Sequence, residues 1–231
     1  LSPDGTRLVL AQSTLDDRAA TYVGALWEID PAGHAPARRL THGKKGESNP
    51  TFTARGDLLF TAARGGEDEP PSLWRLPAAG GEAEKVVARN GGVVGVHAAT
   101  RGDRIVLTAN VLGHSDTDDE RVRAARKDRK VSAVMHTGYP VRYWDHDLGP
   151  DRPHLLTVGA DGELTDLTPG VRSSLRDAQL DVAADGSFAV STWVVAGPLA
   201  SRRTTLVRVD LTTGLRTPLV DDDTGDATHP A

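Results

Sequence analysis

The chain has 231 residues, enough for one sizeable core and within the range of a single all-β domain. A net charge of −5 argues against a nucleic-acid partner, and the absence of cysteine excludes a disulfide framework and fits a reducing, cytoplasmic compartment. No apolar run approaches the ~18 residues that a membrane-spanning helix needs, while 24 glycines and 14 prolines call for many turns.

The first element opens on Ser2, Pro3, Asp4 and Gly5. Ser suits the first corner of a type I turn, Pro presets φ at the second, and Gly suits the fourth. A short apolar run follows, Leu8 to Leu10. The same order returns in "TARGDLLFTA" (53–62), "ATRGDRIVLTA" (99–109) and "AADGSFAVST" (183–192), with turn glycines Gly56, Gly102 and Gly186. These runs are continuous rather than alternating. That fits a strand buried on both faces, although periodicity alone leaves helix open.

A second element follows each of these, read as strand, Gly-containing loop and strand: a hairpin. The four copies are residues 25–43, 72–90, 154–170 and 205–221. From turn glycine to hairpin glycine the spacing is 28 residues (Gly5 to Gly33), 24 (Gly56 to Gly80), 60 (Gly102 to Gly162) and 28 (Gly186 to Gly214). The third unit therefore carries an insertion of about 30 residues, placed at approximately 110–150. Four strands over about 45–50 residues is the period of a β-propeller blade. The expected fold is all-β: one propeller piece of about four four-stranded blades over 1–231, with a short helical insertion in the third unit. The units run approximately 1–51, 52–97, 98–181 and 182–231. The two ends are in phase, so Leu1 is expected to be the remnant of an inner strand.

The insertion begins with "GHSDT" (113–117), which approaches the G-x-S-x-G nucleophile elbow. Thr117 stands where the elbow needs Gly, and hairpins surround it where a hydrolase needs a parallel sheet. Ser115 is therefore not assigned as a nucleophile; Ser115, Asp116 or Thr117 instead caps the next helix. That helix is read over 118–130, acidic at its start (Asp118, Asp119, Glu120) and basic at its end (Arg126, Lys127, Arg129, Lys130). The order complements the helix dipole. A solvated helix is the main reading, beside a basic binding element or a contact with a neighbouring domain.

Within "YPVRYWDHD", Arg142, Tyr143, Trp144 and Asp145 combine aromatics, a guanidinium and a carboxylate. Such a set in an insertion suits a binding or interface patch; a packed hairpin with an Arg–Asp pair is the alternative. Trp27 and Trp74 occupy one repeat position and are assigned to blade packing. No metal or cofactor is expected. The eight histidines make no i, i+4 pair. On a strand, Asp145 and Asp147 face away from His146. Asp221, Asp222 and Asp223 read as a polar loop.

The pattern of an SPDG turn, an apolar run, "LW" with a following Asp, a Gly and "RRLT" resembles a propeller repeat shared by two groups. One is the amino-terminal propeller of prolyl oligopeptidase-family serine peptidases, especially the acylaminoacyl-peptidase and dipeptidyl-peptidase-like branch. The other is the propeller of the Tol translocation system. The third unit, 121–158, resembles the peptidase branch. That resemblance implies a seven-bladed propeller capping an α/β-hydrolase domain with a Ser-Asp-His triad. This chain would then be the non-catalytic, substrate-gating portion, with no catalytic residue of its own. Its partners would be the hydrolase domain of the same polypeptide and a short or N-acylated peptide substrate. The alternative is a stand-alone Tol-type scaffold for protein partners.

Overall fold

A computed structural model describes the chain apart from residues 19, 67–68, 113–118, 137–140, 145, 221, 223 and 231. The first sheet contains β1 (Leu8–Leu15), β2 (Tyr22–Ile29) and β3 (Arg38–Arg39). The second contains β4 (Glu47–Phe52), β5 (Leu58–Ala62), β6 (Ser72–Leu76) and β7 (Glu84–Val87). Next come β8 (Val93–Ala98), β9 (Ile105–Leu112), α1 (Asp119–Asp128), the small pair β10 (Arg142–Tyr143) and β11 (His146–Asp147), then β12 (Asp151–Val158) and β13 (Leu164–Asp166). The third sheet has the order β13-β12-β9-β8, so the insertion separates its two middle strands. The fourth contains β14 (Leu180–Val182), β15 (Phe188–Ala196), β16 (Arg202–Asp210) and β17 (Arg216–Val220). All pairings are antiparallel, and the four sheets are blades of a β-propeller. The first blade differs from the expected pattern in having three strands.

Each of the four turns is closed by a backbone bond, which spans five residues in three of them and four in the second. The N–H groups of Ser2, Thr53, Ala99 and Ala183 donate to the carbonyls of Arg7, Asp57, Arg104 and Phe188. Gly5, Gly56 and Gly186 add the i to i+3 bond, back to Ser2, Thr53 and Ala183, and take φ of 73°, 83° and 76°. Gly102 departs from this: its φ is not positive, and it is needed for a different reason. A Cβ there would stand 2.7 Å from the Asp185 carbonyl oxygen, because the third and fourth blades dock turn against turn. The Arg101 N–H donates to the Ala184 carbonyl across the same contact at 2.7 Å. In the first turn, Asp4 accepts from the Ser2 hydroxyl and from the N–H and hydroxyl of Thr6. These bonds favour its ionised form and hold its pKa down to about 2.

Continuous apolar runs are explained by stacking. Successive side chains of a strand point to opposite faces. Leu58, Phe60 and Ala62 of β5 join a cluster with Val9 and Leu26 of the first blade. Leu59, between them, joins Leu107 and Val96 of the third. Val106 of β9 turns the other way, into a cluster with Ala189 and Val209 of the fourth. β1 is the exception to the expectation of burial on both faces: Val9 packs against the second blade while Leu10, on the opposite face, is exposed, since no described sheet covers that face. Four blades make three such clusters, one per neighbouring pair. Among the described residues none joins the fourth blade to the first, so the blades form an open arc.

First strands meet along the inner side of the arc, β4 against β8 and β8 against β14. The Asn49 side-chain amide on β4 donates to the Val94 carbonyl on β8 at 2.8 Å. His97 of β8 is lowered in pKa by burial, and the charge of Asp181 on β14 offsets this only in part. A depressed folded-state pKa means the fold prefers neutral imidazole. This contribution is complete above the unfolded value of about 6.5 and is lost as pH falls below it. Urea midpoints should therefore drop less between pH 7 and pH 5 in His97→Gln than in the wild type. Identical drops would remove His97 from the acid response.

Candidate functional site

In an antiparallel meander the first and third connections lie at one end of a blade and the second at the other. The insertion is the second connection of the third blade. It therefore shares an end with the β5–β6 loop and with the links between blades. Helix α1 keeps its acidic residues, Asp119 and Glu120, in the first turn and its basic ones, Arg126 and Lys127, in the last.

The helix is anchored, which corrects the reading of it as simply solvated. Asp119 is buried, and its carboxylate accepts from the Leu112 N–H (2.9 Å), Arg123 Nε (3.0 Å) and Arg89 (2.8 Å). Arg123 reaches on to Asp151 at the start of β12, 2.7 Å away. Burial opposes the Arg123 charge, but hydrogen bonds and charges from Asp151 and Asp119 outweigh it and raise its pKa. Glu120 accepts from the Asn90 N–H at 3.0 Å. Gly91 lets the helix approach: a Cβ would lie 2.3 Å from the Asn110 carbonyl oxygen and 2.9 Å from the Arg123 guanidinium. The i, i+4 spacing of Asp119 and Arg123 is visible in the sequence. Arg89 and Asp151 arrive only through folding.

The candidate patch falls on a two-residue hairpin. Arg142 pairs in register with Asp147 and Tyr143 with His146. Trp144 sits at its tip with φ of 44° and is 99% exposed. Arg142 Nε donates to the Trp144 carbonyl at 3.0 Å. The Arg142 guanidinium lies 3.7 Å from the Asp147 carboxylate. Asp145 and Ser115 lie outside the described residues. Val131, Val134, Met135 and Val141 of the insertion are also exposed. Trp74 packs against the cluster between the first two blades, and its indole N–H donates to the Ala62 carbonyl. Trp27 has the equivalent register: Leu10–Trp27–Arg39 matches Phe60–Trp74–Lys85.

A cleft of about 840 Å³ separates α1 from the β5–β6 loop, lined by Glu69, Asn90, Arg123, Arg126, Lys127 and Asp151 among others. A second, of about 600 Å³, lies at the other end between the second and third blades and mixes Arg55, Arg75 and Arg101 with Asp57, Glu84 and Asp103. The lining of neither sets a hydroxyl or thiol beside a histidine. His154 and Asp166 do meet, at 2.6 Å, but they tie β12 to β13 inside the blade. Asp222 accepts from Thr224 in a local turn, while Asp221 and Asp223 lie outside the described residues. Among the described residues no three His, Asp or Glu side chains converge as a metal site, and no helix is long and apolar enough to cross a membrane.

No family model matches the chain. It is 27% identical over 170 residues to the uncharacterized peptidase YuxL of Bacillus subtilis (strain 168), which covers 72% of this chain. The chain spans 25% of the length of that relative. Its fold matches the acylaminoacyl peptidase of Pyrococcus horikoshii with a TM-score of 0.62 at 9% identity, over 94% of this chain and 31% of the other. It also matches the hydrazine synthase of Kuenenia stuttgartiensis (0.63, 10% identity, 95% and 32%) and TolB of Acinetobacter baumannii (0.53, 16%, 94% and 41%). Such different proteins on one architecture show that the propeller alone assigns no activity. The similarity in sequence is to a peptidase.

Proposed function

We propose that this chain is the non-catalytic propeller portion of a serine peptidase acting on short or N-acylated peptides. The Ser-Asp-His triad would stand on an α/β-hydrolase domain elsewhere in the same polypeptide. The observation that carries the reading is the sequence similarity to a peptidase four times longer than the matched share, as the 25% coverage requires. Blades held over an active site exclude folded proteins by size and admit an extended oligopeptide. The insertion is the natural docking element for the hydrolase domain. It carries exposed Val131, Val134, Met135 and Trp144 on one inserted segment, and exposed apolar groups gathered in this way mark interaction surfaces.

The test compares this chain with the polypeptide translated from its full coding region on an N-acyl-peptide substrate. The full polypeptide should contain a G-x-S-x-G elbow and turn the substrate over, and the chain alone should not. Turnover by the chain alone would put the chemistry in the blades. A coding region with a signal peptide and no hydrolase segment would favour a Tol-type scaffold, the reading kept open by the TolB match.

A further inference from the structure

The insertion is the basic part of an acidic chain. Residues 121–144 hold seven of the 27 Lys and Arg residues and one of the 32 Asp and Glu residues, although the whole chain carries −5. Arg123 is engaged by Asp119 and Asp151. Lys127, Arg129, Lys130 and Arg142 are exposed. Among the described residues Lys127, Arg129 and Lys130 form no ion pair. The exposed apolar groups lie beside these charges. The Val131 N–H donates to the Arg126 carbonyl, and the Arg126 guanidinium donates to the Ala133 carbonyl at 2.6 Å, which ties the segment holding Val131, Val134 and Met135 to the last turn of α1. The Leu148 N–H closes the hairpin onto the Val141 carbonyl. Pro150 and Asp151, just beyond, line the same cleft as Arg126 and Lys127, so the hairpin rises beside the basic end of the helix. At its tip the Trp144 backbone has φ of 44°, which is unfavourable for a bulky residue. Arg142 Nε holds this conformation through the Trp144 carbonyl. A wholly exposed indole fixed in this way is a prepared anchor for a partner.

A lipid surface fits this patch poorly. A helix lying in a membrane interface needs an apolar face, and α1 offers only Val122, Ala124 and Ala125. An acidic protein surface fits better, because interfaces bring patches of opposite potential together around aromatic anchors. Resting on the peptidase reading, we propose that the insertion docks on an acidic face of the hydrolase domain of the same polypeptide. Trp144 fills an apolar pocket in that face, and Lys127, Arg129 and Lys130 meet its carboxylates. The acidic excess of this chain lies outside residues 121–144. An acidic domain is therefore repelled by the rest of the blades and drawn to the insertion, which fixes the end of the propeller that it covers.

Carbodiimide couples lysine amines to the carboxylates that touch them, so cross-linking of the full polypeptide tests the docking. Lys127 and Lys130 should join to Asp or Glu residues outside residues 1–231. Amides of residues 129–136 should exchange hydrogen about tenfold or more slowly in the full polypeptide than in the 231-residue chain. That difference should shrink as sodium chloride is raised, and should be lost in Lys127→Glu/Lys130→Glu and in Trp144→Ser. These side chains are exposed in the chain alone, so the blades should stay folded in both variants. Turnover by a full polypeptide whose cross-links stay within residues 1–231 would overturn the docking and leave the peptidase reading intact. Slow exchange that ignores salt and both variants would do the same. A coding region without a hydrolase segment would remove both readings. Salt-sensitive sedimentation of the 231-residue chain with phosphatidylserine vesicles would assign the patch to a lipid surface and overturn the docking as well.

Discussion

Replacing Arg64 with methionine is expected to destabilise the chain by about 3–5 kcal/mol, the usual cost of stranding one member of a buried ion pair. The stranded member is Glu47, at the start of β4 and 1% exposed. Its carboxylate accepts from the Gly43 N–H (2.7 Å), the Thr41 hydroxyl (3.0 Å) and the Arg64 guanidinium (3.0 Å). Thr41 in turn accepts from the Leu26 N–H in β2, so one carboxylate joins the first blade, the link after it and the second blade. Arg64 also lies over the rings of Phe60 and Trp74, each 5.1 Å from its guanidinium carbon. Methionine keeps much of the aliphatic packing and removes the charge with its hydrogen bond to Glu47. The double variant Glu47→Leu/Arg64→Met should recover most of the loss, because an apolar pair avoids desolvating two ions. Urea unfolding of the wild type, Arg64→Met, Glu47→Leu and the double variant gives the coupling. A single-variant loss below ~1 kcal/mol would class the pair with surface ion pairs and dismiss the latch.

Asp119→Ala is expected to release the insertion helix while leaving the blades folded. The substitution removes one carboxylate that holds Arg89, Arg123 and the Leu112 N–H together, and leaves two mostly buried guanidinium groups with one carboxylate each, Arg123 with Asp151 and Arg89 with Glu120 at 3.6 Å. The local loss should be about 3 kcal/mol, a hundredfold rise or more in opening of residues 119–128. Hydrogen exchange reads this directly. Amides of α1 should lose protection, and those of β5, β9 and β15 should keep it. Arg123→Lys should fall between, since an ammonium does not reproduce the fork shared between Asp119 and Asp151. Unchanged exchange in α1 would mean that the helix is held by something other than this cluster. The same variant bears on the proposed docking role, because a loosened insertion presents Trp144 and Met135 at no fixed place.

The parts of the fold that could be read from the residues are those set by local chemistry. Ser2-Pro3-Asp4-Gly5 states its turn outright, and Asp4 and Asp185 hold their turns by bonds to groups two residues on. The continuous run Leu58 to Phe60 announces a strand covered on both faces, and the alternate clusters of those side chains supply the reason. The helix within 118–130 was legible from its order of charges. Gly102 lies in its turn as the repeat implies, but a glycine required for close approach looks in sequence like one required for a positive φ. Only the position of Asp185, more than eighty residues away in sequence, separates the two.

The candidate site was less legible. Arg142, Tyr143 and Trp144 were marked by composition, yet composition does not reveal that Trp144 stands wholly exposed at a hairpin tip or that Arg142 reaches Asp147. Charged residues are common in every stretch of this sequence, so Glu47 and Asp119 carry no mark that distinguishes them from carboxylates in water. Their significance depends on burial and on the partners that converge from other blades.

The sequence by itself determined the strand order, the turns, the repeating blade and the place of the inserted element, because each follows from contacts within a few residues. Tertiary structure alone decided that the insertion is latched through Asp119 and that Glu47 is buried against Arg64, Thr41 and Gly43. The physical reason is range. Turn and strand preferences act along the chain. Desolvation and charge pairing act through space, between residues that only the stacked blades bring together.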